Sequence, residues 1–316
     1  MYRQSKIYVA GHRGLVGSAI VRELSRRGYG NIITRSSQEL DLTRQSDVED
    51  FFQAEKPEHV YLAAAKVGGI LANSTYPADF IYMNLAIAAN VIHSAYKSGT
   101  KKLLNLGSSC IYPRNAPQPL REEYLLSGPL EPTNEAYAVA KIAAIKLCSS
   151  YNRQFGTDFI SLMPTNLYGP GDNFDLESSH VLPALIRKFH EAKMNGVSQV
   201  VVWGTGTPMR EFLYVDDLAE AAVHMMENCS FKEIGEFVNI GTGEDVTIRE
   251  LAGIVRDAVG FEGGIIFDRE KPDGMPRKLL DVSRAKTLGW SHSTSLEKGV
   301  RKVYEWFAGQ ELLKKA

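Results

Sequence analysis

Tyr137 and Lys141 stand four residues apart in Tyr137-Ala138-Val139-Ala140-Lys141. On a helix that spacing puts both side chains on one face. A lysine cation there is expected to stabilise a phenolate and draw the tyrosine below its ordinary pKa of about 10. Such a tyrosine can give or take a proton at a carbonyl oxygen near neutral pH. The same spacing also occurs as surface decoration, so context decides. Ser108 follows an expected strand at 102–106. In an α/β sheet that is the carboxyl edge, where ligands bind, and a serine hydroxyl there can bond the same carbonyl.

A second group could hold phosphate. Gly11-His12-Arg13-Gly14-Leu15-Val16-Gly17 has the spacing G-x-x-G-x-x-G, with an apolar strand before it and an amphipathic helix after it. Glycines in that place allow a tight turn and a close approach of backbone amides to a pyrophosphate. The helix start adds the positive end of its dipole. The second strand ends in Thr34-Arg35-Ser36-Ser37 and carries no acid for ribose hydroxyls. Arg35 and Arg13 suit a 2′-phosphate, so NADP(H) is favoured over NAD. Both arginines could instead face water, Ser37 adds no further cation, and Asp41 could contact the adenine.

These residues need a scaffold. Apolar runs at 6–10, 31–34, 59–63, 102–106 and 158–163 alternate with helical patterns, including 78–98 and 134–155. That alternation predicts an α/β fold with a doubly wound parallel sheet, Rossmann-like. After Pro164 the texture breaks; a helix at 180–193, strands at 200–203 and 238–241, and a helical, irregular tail from Thr247 are expected. We place a dinucleotide domain at 1–165 with a returning segment near 211–250. A smaller interleaved substrate domain takes 166–210 and 251–316.

The chain has 316 residues, enough for a large core. Lys plus Arg number 36 and Asp plus Glu 37, a net charge of −1 that makes neither nucleic acid nor an anionic membrane the default partner. Hydrophobic residues at 44% and charged residues at 23% argue against disorder. Cys110, Cys148 and Cys229 are too few and scattered for a disulfide framework or a zinc cluster, and no metal is expected. No signal peptide is read at 1–6, and Asn84 and Asn90 interrupt the most apolar helix. The expectation is a soluble, cytoplasmic protein.

The glycine loop, Ser108, Tyr137 and Lys141, in that order, resemble the extended short-chain dehydrogenase/reductase family over nearly the whole chain. Five stretches narrow the resemblance: the loop continued through Ser18-Ala19-Ile20; Ala64-Ala65-Lys66-Val67-Gly68-Gly69-Ile70; Gly107-Ser108-Ser109-Cys110-Ile111-Tyr112-Pro113; Pro164-Thr165-Asn166-Leu167-Tyr168-Gly169-Pro170; and Lys271-Pro272-Asp273-Gly274. They are similar to the branch that epimerises a GDP-linked 4-keto-6-deoxy sugar at C3 and C5, then reduces C4 with NADPH. The resemblance implies that Ser37, Asp41, Leu42, Leu106, Gly107 and Ser109 line the cofactor site. Pro164, Thr165, Asn166, Leu167 and His180 would close its nicotinamide end. A homodimer through the helices near 78–98 and 134–155 is a further implication.

Both epimerised carbons flank the ketone, so Tyr137 and Ser108 could hold the enolate oxygen. Inversion also needs a proton taken on one face and returned on the other. Cys110, with a reference pKa near 8.5, and His180, near 6.5, match the family's acid/base pair. We assign Cys110 as base and His180 as acid. Read alone, Cys110 could be a small buried hydrophobe and His180 a capping or surface residue. Lys188, Trp203, Arg210 and Asp273 match the family's substrate contacts, a guanidinium suiting a diphosphate. Alternatives are a solvated lysine, a core tryptophan and an Arg210–Glu211 salt bridge. Rival readings are another sugar-nucleotide epimerase or reductase, a 4,6-dehydratase, or a non-catalytic NADP sensor. Ser109-Cys110-Ile111 lacks the acid pair expected of a dehydratase, and a sensor tends to lose the tyrosine or lysine present here.

Overall fold

The computed structural model describes residues 1–315 apart from Glu177, Pro272 and Gly274. Pro272 and Gly274, part of one of the five stretches, therefore lie outside the described residues. The first half runs β1 (Ile7–Ala10), α1 (Leu15–Arg26), β2 (Ile32–Ile33), α2 (Gln45–Glu55), β3 (His59–Leu62), α3 (Ile70–Thr75), α4 (Pro77–Lys97), β4 (Lys102–Leu106), α5 (Glu135–Phe155) and β5 (Phe159–Pro164). The second half continues with β6 (Asn166–Tyr168), α6 (Val181–Met194), β7 (Gln199–Trp203), β8 (Met209–Arg210), β9 (Phe212–Tyr214), α7 (Val215–Asn228), α8 (Phe231–Ile234), β10 (Val238–Ile240), β11 (Val246–Thr247), α9 (Ile248–Val259), β12 (Gly264–Asp268), β13 (Arg277–Lys278), α10 (Ser283–Thr287) and α11 (Leu296–Lys315).

Six strands form one sheet in the order β10-β5-β4-β3-β1-β2, every pairing parallel. The doubly wound sheet is therefore as expected. Its central strands read as continuous apolar runs because both faces are covered. Alternate residues serve different cores: Ile7 and Val9 join α1 and α7, while Tyr8 and Ala10 join α2 and α4. Strand order reverses between β1 and β3, so ligands belong outside the carboxyl ends there.

Two expectations need adjustment. The strand expected at 31–34 shrinks to Ile32–Ile33, because it lies at the sheet edge and only β1 pairs with it. The tail from Thr247 also contains strands: β12 pairs in parallel with β7, and β13 with β8. Their partners lie over 60 residues upstream, so local patterning did not reveal them. A second core gathers α6, α9, α11 and the inward residues Val200 and Val202 of β7. Among the described residues no helix is long and apolar enough to cross a membrane.

Candidate active site

The turn after β1 is built for close approach. Gly11 has φ +84, and a Cβ there would meet the backbone of Ala63 and Ala64 at 2.8–2.9 Å. A Cβ on Gly17 would stand 2.1 Å from the carbonyl oxygen of Gly11. Helix α1 begins with no side-chain cap and no acid in its first turn, so its leading amides face the loop. Both features fit a pyrophosphate. The Gly17→Ala variant is expected to bind NADPH about 10-fold more weakly or worse, since the turn must open. Titration of nicotinamide fluorescence measures it, and unchanged affinity would remove the loop from the cofactor site.

At the end of β2, two guanidinium groups converge. Arg13 and Arg35 both bear on the carboxylate of Glu39, whose pKa is lowered chiefly by bonds from Ser36. Arg35 also bonds Glu55 at 2.8 Å and lies over the Phe51 ring. Ser37 is exposed. Asp41 accepts bonds from the amide and hydroxyl of Thr43, which turns the chain there. The carbonyl of Leu42 is held by Asn90 of α4.

Beyond β4, Gly107 approaches Met163 so closely that a Cβ would lie 2.2 Å from its methyl carbon. Ser108 then starts a single helical turn over Ser109–Ile111, its hydroxyl accepting the amide of Cys110 at 3.4 Å. This turn sets the serine and the thiol side by side. Helix α5 brings Tyr137 and Lys141 to the same edge, with the Lys141 ammonium 5.6 Å from the Tyr137 ring centroid. The Phe80 ring of α4 braces Tyr137 edge-on at 6.3 Å.

The electrostatics differ from the expectation at Tyr137. Its pKa is pushed upward, mainly by burial, with Cys110 adding and a bond to Ser108 opposing. The Lys141 ammonium donates instead to the carbonyl of Leu106 at 2.9 Å, and burial draws its pKa down to about 8. Burial thus dominates at Tyr137 and favours its protonated form. The Cys110 thiol is likewise raised by burial, against Lys278, Ser108 and Lys141, which favour its anion. His180, at the start of α6, is lowered by burial and by Lys278. The residue itself is exposed to solvent.

The sugar-nucleotide candidates gather on β7, β8 and α6. Trp203 is 61% exposed, so it is no core tryptophan. Lys188 lies 5.2 Å from its ring centroid and donates to the carbonyl of Val201 at 3.2 Å. Arg210 is weakened as a cation by burial and supported by Asp273. The Arg210–Glu211 salt bridge is not what forms: Glu211 turns its carboxylate to backbone amides. Asp273 accepts the amide and hydroxyl of Thr205, closing the turn after β7. Asn166 donates to the carbonyl of Glu211 at 2.7 Å, and Thr165 is buried beside it. Pro164 ends β5 and Leu167 packs on the main core.

Two residues carried no assigned role in the sequence analysis. Lys278 shares a small pocket with Cys110 and Asn134 and acts electrostatically on His180. Lys271 lies 5.5 Å from the Trp203 ring centroid, on a segment with no periodic signal. Among the described residues no cluster of three or more His, Cys, Asp or Glu could hold a metal.

One half of this sheet edge can seat a dinucleotide, and the other can handle protons at a carbonyl oxygen. That pairing defines a nicotinamide-dependent oxidoreductase or epimerase. Residues 7–241 match the NAD dependent epimerase/dehydratase family, and the chain belongs to that family. It is 62% identical to GDP-L-fucose synthase 1 of Arabidopsis thaliana over 96% of this chain and 94% of that one. Identity to the GDP-L-fucose synthase of Escherichia coli (strain K12) is 56%, covering 96% and 97% respectively. A solved GDP-mannoheptose C4 reductase from Campylobacter jejuni, with NADP bound, superposes with a TM-score of 0.91. It is 42% identical and covers 98% of this chain and 99% of its own.

Proposed function

We propose that this chain converts GDP-4-keto-6-deoxy-D-mannose to GDP-L-fucose, by epimerisation at C3 and C5 and NADPH-dependent reduction at C4. The observation that carries the reading is one cleft edge holding Ser108, Cys110, Tyr137 and Lys141, in a chain 62% identical to a GDP-L-fucose synthase. The glycine loop would hold NADPH, with Arg13 and Arg35 at its 2′-phosphate end and Thr165 and Asn166 at its nicotinamide end, and the bound cofactor would supply a hydride.

Tyr137 and Ser108 take the C4 oxygen of the sugar. During epimerisation their hydroxyls stabilise the enolate; during reduction the Tyr137 phenol donates its proton to that oxygen. Cys110 and His180 serve C3 and C5. Cys110 acts as base and His180 as acid: burial raises the thiol and lowers the imidazole, while Lys278 and Lys141 favour the thiolate. Lys278 beside Cys110 eases formation of the thiolate when that proton leaves. Lys188, Trp203 and Arg210 take the nucleotide diphosphate.

Residues 1–165 with 211–250 form the cofactor domain and the remainder the substrate domain. Two copies associate through α4 and α5, in a cytoplasmic setting.

Mixing the protein with NADPH and GDP-4-keto-6-deoxy-D-mannose tests the reading. Stoichiometric loss of reduced-nicotinamide absorbance with GDP-L-fucose formed is expected; tight NADPH binding without consumption would refute it.

A pH dependence follows from Lys141. Its folded pKa, about 8, lies below the ordinary lysine value of 10.5. Below pH 8 the buried cation costs stability, and that cost is relieved as pH rises from about 8 toward 10.5. Activity moves the other way: kcat/KM is expected to fall above about pH 8 as the charge beside Tyr137 is lost. The Lys141→Arg variant keeps its charge and should lack that limb. A profile flat to pH 10 would detach Lys141 from proton transfer.

A further inference from the structure

Between β8 and β9 sits a carboxylate with an unusual set of partners. Glu211 is 0% exposed. One carboxylate oxygen accepts the amides of Thr242 and Gly243 at 2.6 and 2.8 Å and the Thr242 hydroxyl at 3.3 Å. The other accepts the amide of Leu280 at 2.9 Å. Its backbone carbonyl takes the Asn166 amide group at 2.7 Å and the Thr165 hydroxyl at 3.3 Å. A buried carboxylate is costly unless its lone pairs are met, and here backbone amides meet them.

The partners belong to different parts of the cleft. Thr242 and Gly243 follow β10, a strand of the central sheet. Leu280 follows β13, which carries Lys278 and pairs with Arg210 of β8. Asn166 begins β6 and pairs with Phe212, the residue after Glu211. The carboxylate therefore ties the loop after β10, at the end of the central sheet, to the strand that presents Lys278 beside Arg210, while the backbone carbonyl of the same residue holds Thr165 and Asn166. From this geometry, and resting on the function proposed above, we infer that Glu211 is a positioning residue that sets the substrate strands in register with the cofactor edge. It touches neither substrate nor cofactor; its carboxylate acts through the loop after β10 and the strands that carry Arg210 and Lys278.

The consequence is large because hydride transfer tolerates little misplacement: a shift of about 1 Å can cost about 100-fold in rate. The fold also supplies an independent probe. Gly241 adjoins the carboxylate, and a Cβ there would stand 2.1 Å from the oxygen that accepts Thr242 and Gly243. Its φ is not in the left-handed region, so the Gly241→Ala variant displaces Glu211 without removing its charge or straining its own backbone.

The experiment compares Glu211→Ala, Gly241→Ala and the double variant with wild type. Three quantities are read: kcat for NADPH oxidation with GDP-4-keto-6-deoxy-D-mannose, the Kd of NADPH, and the Kd of GDP as the substrate-side probe. Each single variant is expected to lower kcat about 10-fold or more and weaken GDP about 5-fold or more, with NADPH within about 2-fold. The double variant should lose no more than the worse single, because both act at one seat. Any of three results overturns the inference: losses under about 5-fold, parallel loss of NADPH affinity, or multiplying losses in the double. If Glu211→Ala does not fold, Gly241→Ala alone decides by its kcat and two affinities. Wild type that binds GDP and NADPH without turnover would refute the proposed reaction, while the split between the two affinities still judges Glu211.

Discussion

Replacing Tyr137 with phenylalanine is expected to lower kcat for C4 reduction by about 100- to 10,000-fold. The Phe ring fills the same space, so packing against Phe80 survives, and only the phenol is lost. In the proposed reaction that phenol is the proton source: burial holds its pKa up, so it is protonated when the C4 oxygen takes on negative charge. Without it Ser108 remains as a single donor, and removal of one such donor is itself worth about 100-fold or more. Exchange at C3 and C5 should fall too, because the same hydroxyl holds the enolate. NADPH affinity should change by less than about 3-fold, since the glycine loop and helix α1 are untouched. Single-turnover absorbance and fluorescence titration separate these effects. A rate within about 10-fold of wild type would assign the proton to another group.

The Cys110→Ser variant should lose solvent deuterium uptake at C3 and C5 by about 1,000-fold or more, placing it with the strongest acid/base effects. Serine preserves the size of the side chain and its place in the turn after Ser108. What disappears is ionisation within reach of neutral pH. The Cys110 thiol is raised by burial but drawn back by Lys278 and Lys141, so a thiolate is accessible where an alkoxide is not. Mass spectrometry of the sugar nucleotide in deuterium oxide measures the uptake. Undiminished exchange at both carbons would remove Cys110 from the acid/base pair; loss at one carbon would give each residue its own centre.

Much of the cofactor side was legible because its signals are local. Gly11, Gly14 and Gly17 are spaced by a turn whose geometry depends on immediate neighbours, and the close contact at Gly17 involves Gly11 only six residues away. Tyr137 and Lys141 share a helix face by periodicity alone. Ser108 and Cys110 are adjacent in one turn. The central strands β1, β3, β4 and β5 read correctly because their two-sided burial makes continuous apolar runs.

Other features arise only when distant segments meet. Lys278 comes to Cys110 and Lys271 to Trp203 across wide separations. An Arg210–Glu211 ion pair was one alternative open in sequence, but the glutamate turns inward to Leu280, 69 residues on. The pKa of Tyr137 went the opposite way from its sequence expectation because desolvation depends on everything packed around the ring.

From its sequence alone this protein determined its central sheet, its glycine-rich turn and the spacing of its candidate proton-handling residues, since each rests on spacing within one turn or one strand–helix unit. Tertiary structure alone decided their protonation, the cations that surround Cys110, and the joint at Glu211. Burial and Coulomb interactions sum over neighbours in space, and those neighbours are brought together only by the folded chain.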